Sequence, residues 1–293
     1  MSPPLKLSSP ATHEFWVIPV LWEDEHLLAL DKPSRLLTSP DRSDPARPNL
    51  MKLLHQDIER GATWARQRQL TYLANAHRLD FETTGVLLFA KSKAVLVSLA
   101  NEFGNEKPER LYVALTHGTR VEDRFEIAAK LGPHPARPGL VQVDRKHGKR
   151  SVSRFEVAER FRGFTWLNCR PLTDRTHQIR AHLRHVGLPL VGDDLYGGPP
   201  LLLSRLKRDY RPKRHEPERP LIGRAALHAA ELRFAHPVTG AEVVVVSPWP
   251  KDMSVAVRYL RRFAAGHGPA VTQATEDAPA SSSSDSTSLE IAS

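Results

Sequence analysis

An Asp followed by a Thr-Thr-Gly turn and a short apolar run is the arrangement in this chain best suited to chemistry. It lies in residues 76–91, AHRLDFETTGVLLFAK. The run 86–90 is short, apolar and flanked by Gly85 and Lys91, which predicts a buried strand reached through a loop. Asp80 stands just ahead of it. A carboxylate at the mouth of a buried strand is held by rigid backbone and can still face a cleft, as a nucleophile or general base requires. Taken alone, such an Asp more often caps a turn through nearby backbone amides. Its reading therefore depends on its company.

The second concentration of polar groups is residues 173–197, TDRTHQIRAHLRHVGLPLVGDDLYG. Ile179, Leu183 and Val186 predict a helix over 176–186 with one apolar face, ended by Gly187. His177, Arg180, His182, Arg184 and His185 occupy the rest of its surface. His177 and His182 are five residues apart and point to different faces, no HExxH spacing occurs, and no carboxylate completes a set within the helix. Asp193 and Asp194 downstream keep a metal open, but hydrogen-bonded or surface histidines are the expectation and no metal is predicted. Cys169 is the only cysteine, which excludes an intrachain disulfide and a multi-cysteine zinc cluster and suits a core position. There is no GxSxG elbow, and neither GxGxxG nor GxxxxGK[ST] occurs, which removes the usual nucleotide-dependent enzymes. What remains is Asp80, Tyr112 on the alternating segment 110–116 (RLYVALT), an Arg-bearing helix and a basic surface.

That basic surface is unevenly distributed. The 293 residues carry a net charge of +9, yet no Lys or Arg follows Arg262, whereas Glu276, Asp277, Asp285 and Glu290 do. Up to Arg262 there are 42 basic and 29 acidic residues, a net of +13, which fits a polyanionic partner. Residues 204–224 hold eight Lys or Arg against three acids and read as an exposed basic loop. No apolar stretch approaches the ~20 residues that cross a bilayer, and the first residues lack the apolar core of a signal peptide, so a cytoplasmic location is expected.

The elements that must position these groups are legible in outline. Residues 1–15 are Pro- and Ser-rich and read as a flexible segment. The runs 16–21 and 26–30 read as a strand pair about the turn Glu23-Asp24-Glu25. Asn49 caps a helix with Leu50, Leu53, Leu54 and Ile58 on its apolar face, and Ser92 caps another with Leu96, Leu99, Ala100 and Phe103, stopped at Gly104. Strands are predicted at 110–116, 124–131, 140–144, 151–158, 164–172, 226–234 and 241–247, and a helix near 254–263. Residues 265–293, rich in Ala, Ser, Thr and Pro, read as a disordered tail, which leaves 16–264 as one folded domain.

HRLDFETTGVLLFAK, RLYVALTHG, RTHQIRAHLRHVGLPLVGDDLYG and ALHAAELRFAHPVTG, in this order and preceded by IPVLWEDEHLLALDKPSRLL, resemble the RluA family of pseudouridine synthases, in the form without an N-terminal S4 domain. The likeness runs over residues 19–250. It implies an α+β catalytic domain with a mixed, mainly antiparallel sheet, flanking helices and a central cleft. The activity it implies is isomerisation of specific uridines in structured RNA (rRNA or tRNA) to pseudouridine, by a monomer, with base flipping and with neither small-molecule cofactor, metal nor membrane. In that resemblance Asp80 is the nucleophile, Arg180 pairs with its carboxylate, Tyr112 stacks on the uracil, and Arg78 enters the RNA stack. His77, Arg175, His177 and Gln178 complete the expected RNA-facing set, with Thr83 and Thr84 shaping the pocket. Asp174 stands where the family usually has Gly, and Arg110 where it usually has Lys. A non-catalytic RNA-binding or RNA-folding factor on the same scaffold and, more weakly, an N-glycosidic hydrolase are the competing readings.

Overall fold

The structure, a computed structural model, describes residues 2–41, 44, 46–211 and 216–266. The predicted tail from residue 267 onward lies outside the described residues. In chain order come β1 (Leu5–Ser9), β2 (Glu14–Ile18), β3 (Val20–Glu23), β4 (Leu27–Lys32), α1 (Leu50–Glu59), α2 (Thr63–Gln67), β5 (Ala74–Asn75), β6 (Thr84–Ala90) and α3 (Lys93–Gly104). Then follow β7 (Glu109–His117), β8 (Arg124–Pro133), β9 (Val141–Val143), β10 (Lys149–Phe161), β11 (Phe164–Pro171) and α4 (Gln178–His185). A short 3-10 turn (Asp194–Tyr196), α5 (Leu203–Leu206), β12 (Leu227–Ala235), β13 (Glu242–Val246) and α6 (Lys251–Phe263) complete the fold.

Eleven strands form one sheet in the order β3-β4-β6-β12-β7-β11-β10-β8-β9, with β13 added to β12 and β5 to β6. The pairing of β6 with β12 is parallel and the other pairings are antiparallel, so the mixed, mainly antiparallel sheet expected from the sequence is present. Every residue of β6 is buried because both faces of the sheet are covered there. Leu87 and Phe89 face Leu30, Leu54 and Trp64, under α1 and α2. Val86, Leu88 and Ala90 face Val95 and Leu99 of α3 and Leu232 of β12. The parallel pair depends on Gly85. Its φ is +110°, and a Cβ there would sit 2.2 Å from the Ala229 carbonyl oxygen. On the other half of the sheet, Ile179 and Leu183 of α4 pack on Val157, Leu167 and Leu227, and Met253, Val257 and Leu260 of α6 pack on Val113, Leu115 and Trp166.

Three sequence expectations are corrected. The first 15 residues are not loose: β1 pairs with β2 in a separate two-stranded sheet, and Leu5 and Leu7 are fully buried against Leu50 and Leu54. The alternation of three residues, Leu5, Leu7 and Ser9, was too short to stand out beside the prolines. The run 16–21 is not one strand, because Pro19 divides it between β2, which pairs back to β1, and β3, which pairs forward to β4. The stretch 204–224 is not simply an exposed basic loop. Its start is the helix α5, with Leu206 buried, and its end is Arg224, 5% exposed and held by Asp252 at 2.7 and 3.0 Å. No helix among the described residues is long and apolar enough to cross a membrane.

Leu7→Ala empties a fully buried position, and the expected loss is about 2–5 kcal/mol of unfolding free energy, read by urea denaturation. An unchanged midpoint would mean that the N-terminal strand contributes nothing to the core.

Candidate active site

Asp80 lies on the loop between β5 and β6, and the loop is fastened from beneath. The Thr38 hydroxyl donates to the Leu79 carbonyl at 3.0 Å, and its oxygen accepts from the Leu79 amide at 3.2 Å. The Thr83 N–H donates to the Asp80 carbonyl at 3.2 Å and closes the turn. Lys32, with no exposure, donates from Nζ to Pro33 O (2.9 Å), Phe81 O (3.4 Å) and Thr83 O (2.9 Å). Arg224 adds a bond to Glu82 O at 3.3 Å, and the Ala225 N–H donates to the Glu82 carboxylate at 3.0 Å. Two buried cations thus hold the carbonyls of the three residues after Asp80. Burial pushes the Lys32 pKa down to about 7, against the opposing pull of Asp80.

Arg180, in the first turn of α4, reaches Asp80 Oδ2 through Nη1 at 3.2 Å. Its Nε and Nη2 donate to the two oxygens of Asp193 at 2.7 and 2.8 Å. Burial works against the charge on Arg180, but the hydrogen bonds and charges of Asp193 and Asp80 outweigh it and raise its pKa above the ordinary value. Asp193, open in sequence as a metal ligand, therefore has both oxygens committed to a guanidinium. Tyr112, on β7, packs at the seam between the core beneath α1 and the core beneath α4. Burial raises its pKa above that of a free phenol, so the hydroxyl stays protonated.

Asp80, Tyr112 and Arg180 line one cleft together with Arg78, Arg175 and His177. Arg78 is exposed at its rim, and Arg175 donates from Nε to Arg150 O at 3.3 Å. His177 sits at the start of α4 in the left-handed region, φ 53°. Of two expected RNA contacts, one lies away from the cleft and the other lines it with its amide already engaged. His77 is 8% exposed, stacks on Phe103 at 5.1 Å and accepts from the Leu88 N–H at 3.2 Å; burial lowers its pKa to about 4. It ties the loop to β6 and α3 and does not line the cleft. Gln178 does line the cleft, but its amide is spent internally: it donates to Val152 O and Ser153 Oγ, both at 2.9 Å, and accepts from Thr173 Oγ1 at 2.7 Å. Thr84, similarly, is buried and bonded to His228 Nδ1 at 2.9 Å.

The two departures from the family pattern meet each other. Arg110 Nη1 lies 3.0 Å from Asp174 Oδ2, and both residues line the cleft. The carboxylate's charge at the rim is thereby paired with a guanidinium that is only 7% exposed. Sequence reasoning missed Lys32, Arg224, Asp193 and Tyr196 as residues that build the site. The last two had a visible signal, since DDLY is bracketed by Gly192 (φ 71°) and Gly197 (φ 76°), the mark of a tight turn with a fixed shape. The cavity between these side chains has a volume of about 60 Å3.

The family model described as RNA pseudouridylate synthase matches residues 26–185. The ribosomal large subunit pseudouridine synthase D of Xanthomonas campestris pv. campestris is 33% identical over 250 residues, which cover 84% of this chain and 70% of that protein. Among solved structures, human RNA pseudouridylate synthase domain containing 1 is 25% identical with a TM-score of 0.57, covering 80% of this chain and 84% of the human one. Human RNA pseudouridylate synthase domain containing 4 is 20% identical with a TM-score of 0.60 over 83% and 92% of the two chains, a likeness of fold.

Lys32 gives the site a pH signature. It holds its proton to about pH 7 when folded, against about 10.5 for a free lysine, so between those limits the unfolded chain binds the extra proton and stability rises with pH. Lys32→Met should flatten that rise when urea unfolding is compared at neutral and alkaline pH. It should also lower turnover, by about 10-fold, as the loop behind Asp80 loosens.

Proposed function

Because the chain belongs to the RNA pseudouridylate synthase family and isomerises uridine in RNA, we propose that its substrate is ribosomal RNA of the large subunit, with Asp80, Tyr112 and Arg180 as the groups that act on the flipped nucleotide. The name of the Xanthomonas relative supports the choice of RNA. The observation that carries the site is the half-buried Asp80 carboxylate, 3.2 Å from a guanidinium that Asp193 holds in place, in the cleft that Tyr112 lines.

The chemistry follows from those positions. A uridine within a helix is shielded by its neighbours and must be extruded, at about a few kcal/mol. Arg78, exposed on the rim, fills the space the base leaves, and Arg175 contacts backbone phosphate. Asp80 attacks the sugar or stabilises charge there as the C1′–N1 bond breaks, with the bonding pair leaving on the base. The detached uracil turns against the Tyr112 ring, whose face holds any base by stacking. C5 then bonds to C1′, displacing the Asp80 carboxylate where that oxygen has bonded there, C5 loses its proton and N1 gains one, so composition and oxidation state are unchanged. Arg180 suits the place beside Asp80 because its charge is permanent and its planar fork serves two carboxylates at once.

Asp80→Asn should abolish pseudouridine formation on large-subunit rRNA taken from a strain lacking the protein, while RNA affinity stays within about threefold, because the shape of the site is kept. Full turnover by this variant would remove Asp80 as nucleophile. Affinity should also fall steeply with added salt, since each neutralised phosphate releases counterions, with a log-log slope of about −0.7 to −0.9 per contact. A flat response would remove the basic rim as the RNA surface.

A further inference from the structure

His177 is placed with more care than a rim contact needs. It takes a left-handed backbone conformation, φ 53° and ψ 22°, that residues with a Cβ adopt at a cost, and its side chain makes no capping bond to α4. The ring instead lies between Tyr196 and Asp80. Its Nδ1 is 3.1 Å from the Tyr196 hydroxyl, the two rings meeting edge to face with centroids 5.7 Å apart, and its Nε2 is 3.8 Å from Asp80 Oδ2.

The hydroxyl of Tyr196 decides which nitrogen of His177 carries the proton. Tyr196 is 5% exposed, its oxygen accepts from the Val141 N–H at 3.1 Å, and among the described residues His177 Nδ1 is the one acceptor within reach of its phenol hydrogen. The proton of a neutral imidazole is then on Nε2, facing the carboxylate. Burial lowers the pKa of His177 more than Asp80 raises it, in keeping with a neutral ring. Tyr196 stands in the same 3-10 turn that follows Asp193, and the Arg180 guanidinium lies over its ring at 4.9 Å. One turn thus sets both Arg180 and His177, and both address the same oxygen, Oδ2. Among the described residues no protein group hydrogen-bonds to Asp80 Oδ1.

We propose that His177 is a positioning residue for Asp80, held in its Nε2–H form by Tyr196, and that with Arg180 it anchors Oδ2 so that Oδ1 is the oxygen presented to the sugar. This rests on the reading of Asp80 as nucleophile and makes it specific to one atom. The gap of 3.8 Å closes to a hydrogen bond as the base enters and the cleft excludes water.

His177→Gly suits the left-handed backbone and removes the ring, so it separates the donor from the strain. Its kcat should fall about 10- to 100-fold with KM within about twofold. His177→Gln, which can offer an amide N–H to the same oxygen, should recover most of that loss, and Tyr196→Phe should lower kcat with KM unchanged while thermal unfolding shows the fold intact. An unaltered kcat in His177→Gly, or a loss confined to KM, would overturn the proposal and leave His177 an RNA contact. Asp80→Asn, measured alongside, keeps the two ideas apart. If it turns over, the nucleophile reading fails; if it is inactive while His177→Gly is normal, only the positioning role fails.

Discussion

A guanidinium buried between two carboxylates is the interaction on which the site depends. Arg180 is 7% exposed and Asp193 1%, so neither charge is solvated and each is tolerable only because the other is present. Two parallel hydrogen bonds, at 2.7 and 2.8 Å, fix the plane of the fork as well as its charge. The remaining arm then points at Asp80 without freedom to swing. A lysine could supply the charge in this place but not the geometry, since an ammonium has no plane to be oriented.

Everything else in the fold serves to bring the loop and the helix to that meeting point. β6 is buried on both faces, which makes the strand after Asp80 a fixed reference, and Gly85 lets β12 run beside it closely enough for a parallel pair. Beneath the loop, Lys32 and Arg224 accept the cost of burial and are repaid by backbone carbonyls and by Asp252. They hold the peptide groups of Phe81, Glu82 and Thr83, so the Asp80 carboxylate extends from a backbone with little room to move. α4 is seated by Ile179 and Leu183 on the opposite half of the sheet, which brings Arg180 to the loop from across the central strands.

The sequence made the strongest periodicities plain. The helices capped by Asn49 and Ser92, the all-buried run of β6 and the alternation of β7 stand where their patterns put them, because each has a local signal that tertiary contacts reinforce. The pairing partner of a strand has no such signal. Nothing in the spacing of Leu5 and Leu7 says that they close on Trp16 and Ile18 and not on solvent, and Pro19 marks a break only once two sheets are seen to meet there. At the site, Asp80, Tyr112 and Arg180 were legible through the family likeness and their cleft. Asp193 was visible as a residue but not as a partner of Arg180, since the two stand 13 positions apart in the sequence. His77 misled for the opposite reason: it adjoins site residues in sequence, yet a side chain's direction is set by the backbone and not by its neighbour's role.

The basic balance of the chain divides into two populations with different work. Arg180, Lys32, Arg224 and Arg110 are buried and engaged by carboxylates or carbonyls, so they contribute little to long-range attraction of a polyanion. The exposed set, with Arg78 on the rim and Arg145, Lys146, Lys149 and Arg150 about the β9–β10 turn, is what an approaching phosphate backbone meets first. Mobile ions screen the second population over about 8–10 Å and barely reach the first. The pairing of Arg110 with Asp174 belongs to the boundary between them, because it neutralises a rim carboxylate with a charge already committed to the interior. Long-range attraction of a polyanion and the local pairing of charges around Asp80 are therefore separate electrostatic problems in this fold, met by different residues and sensitive to different conditions.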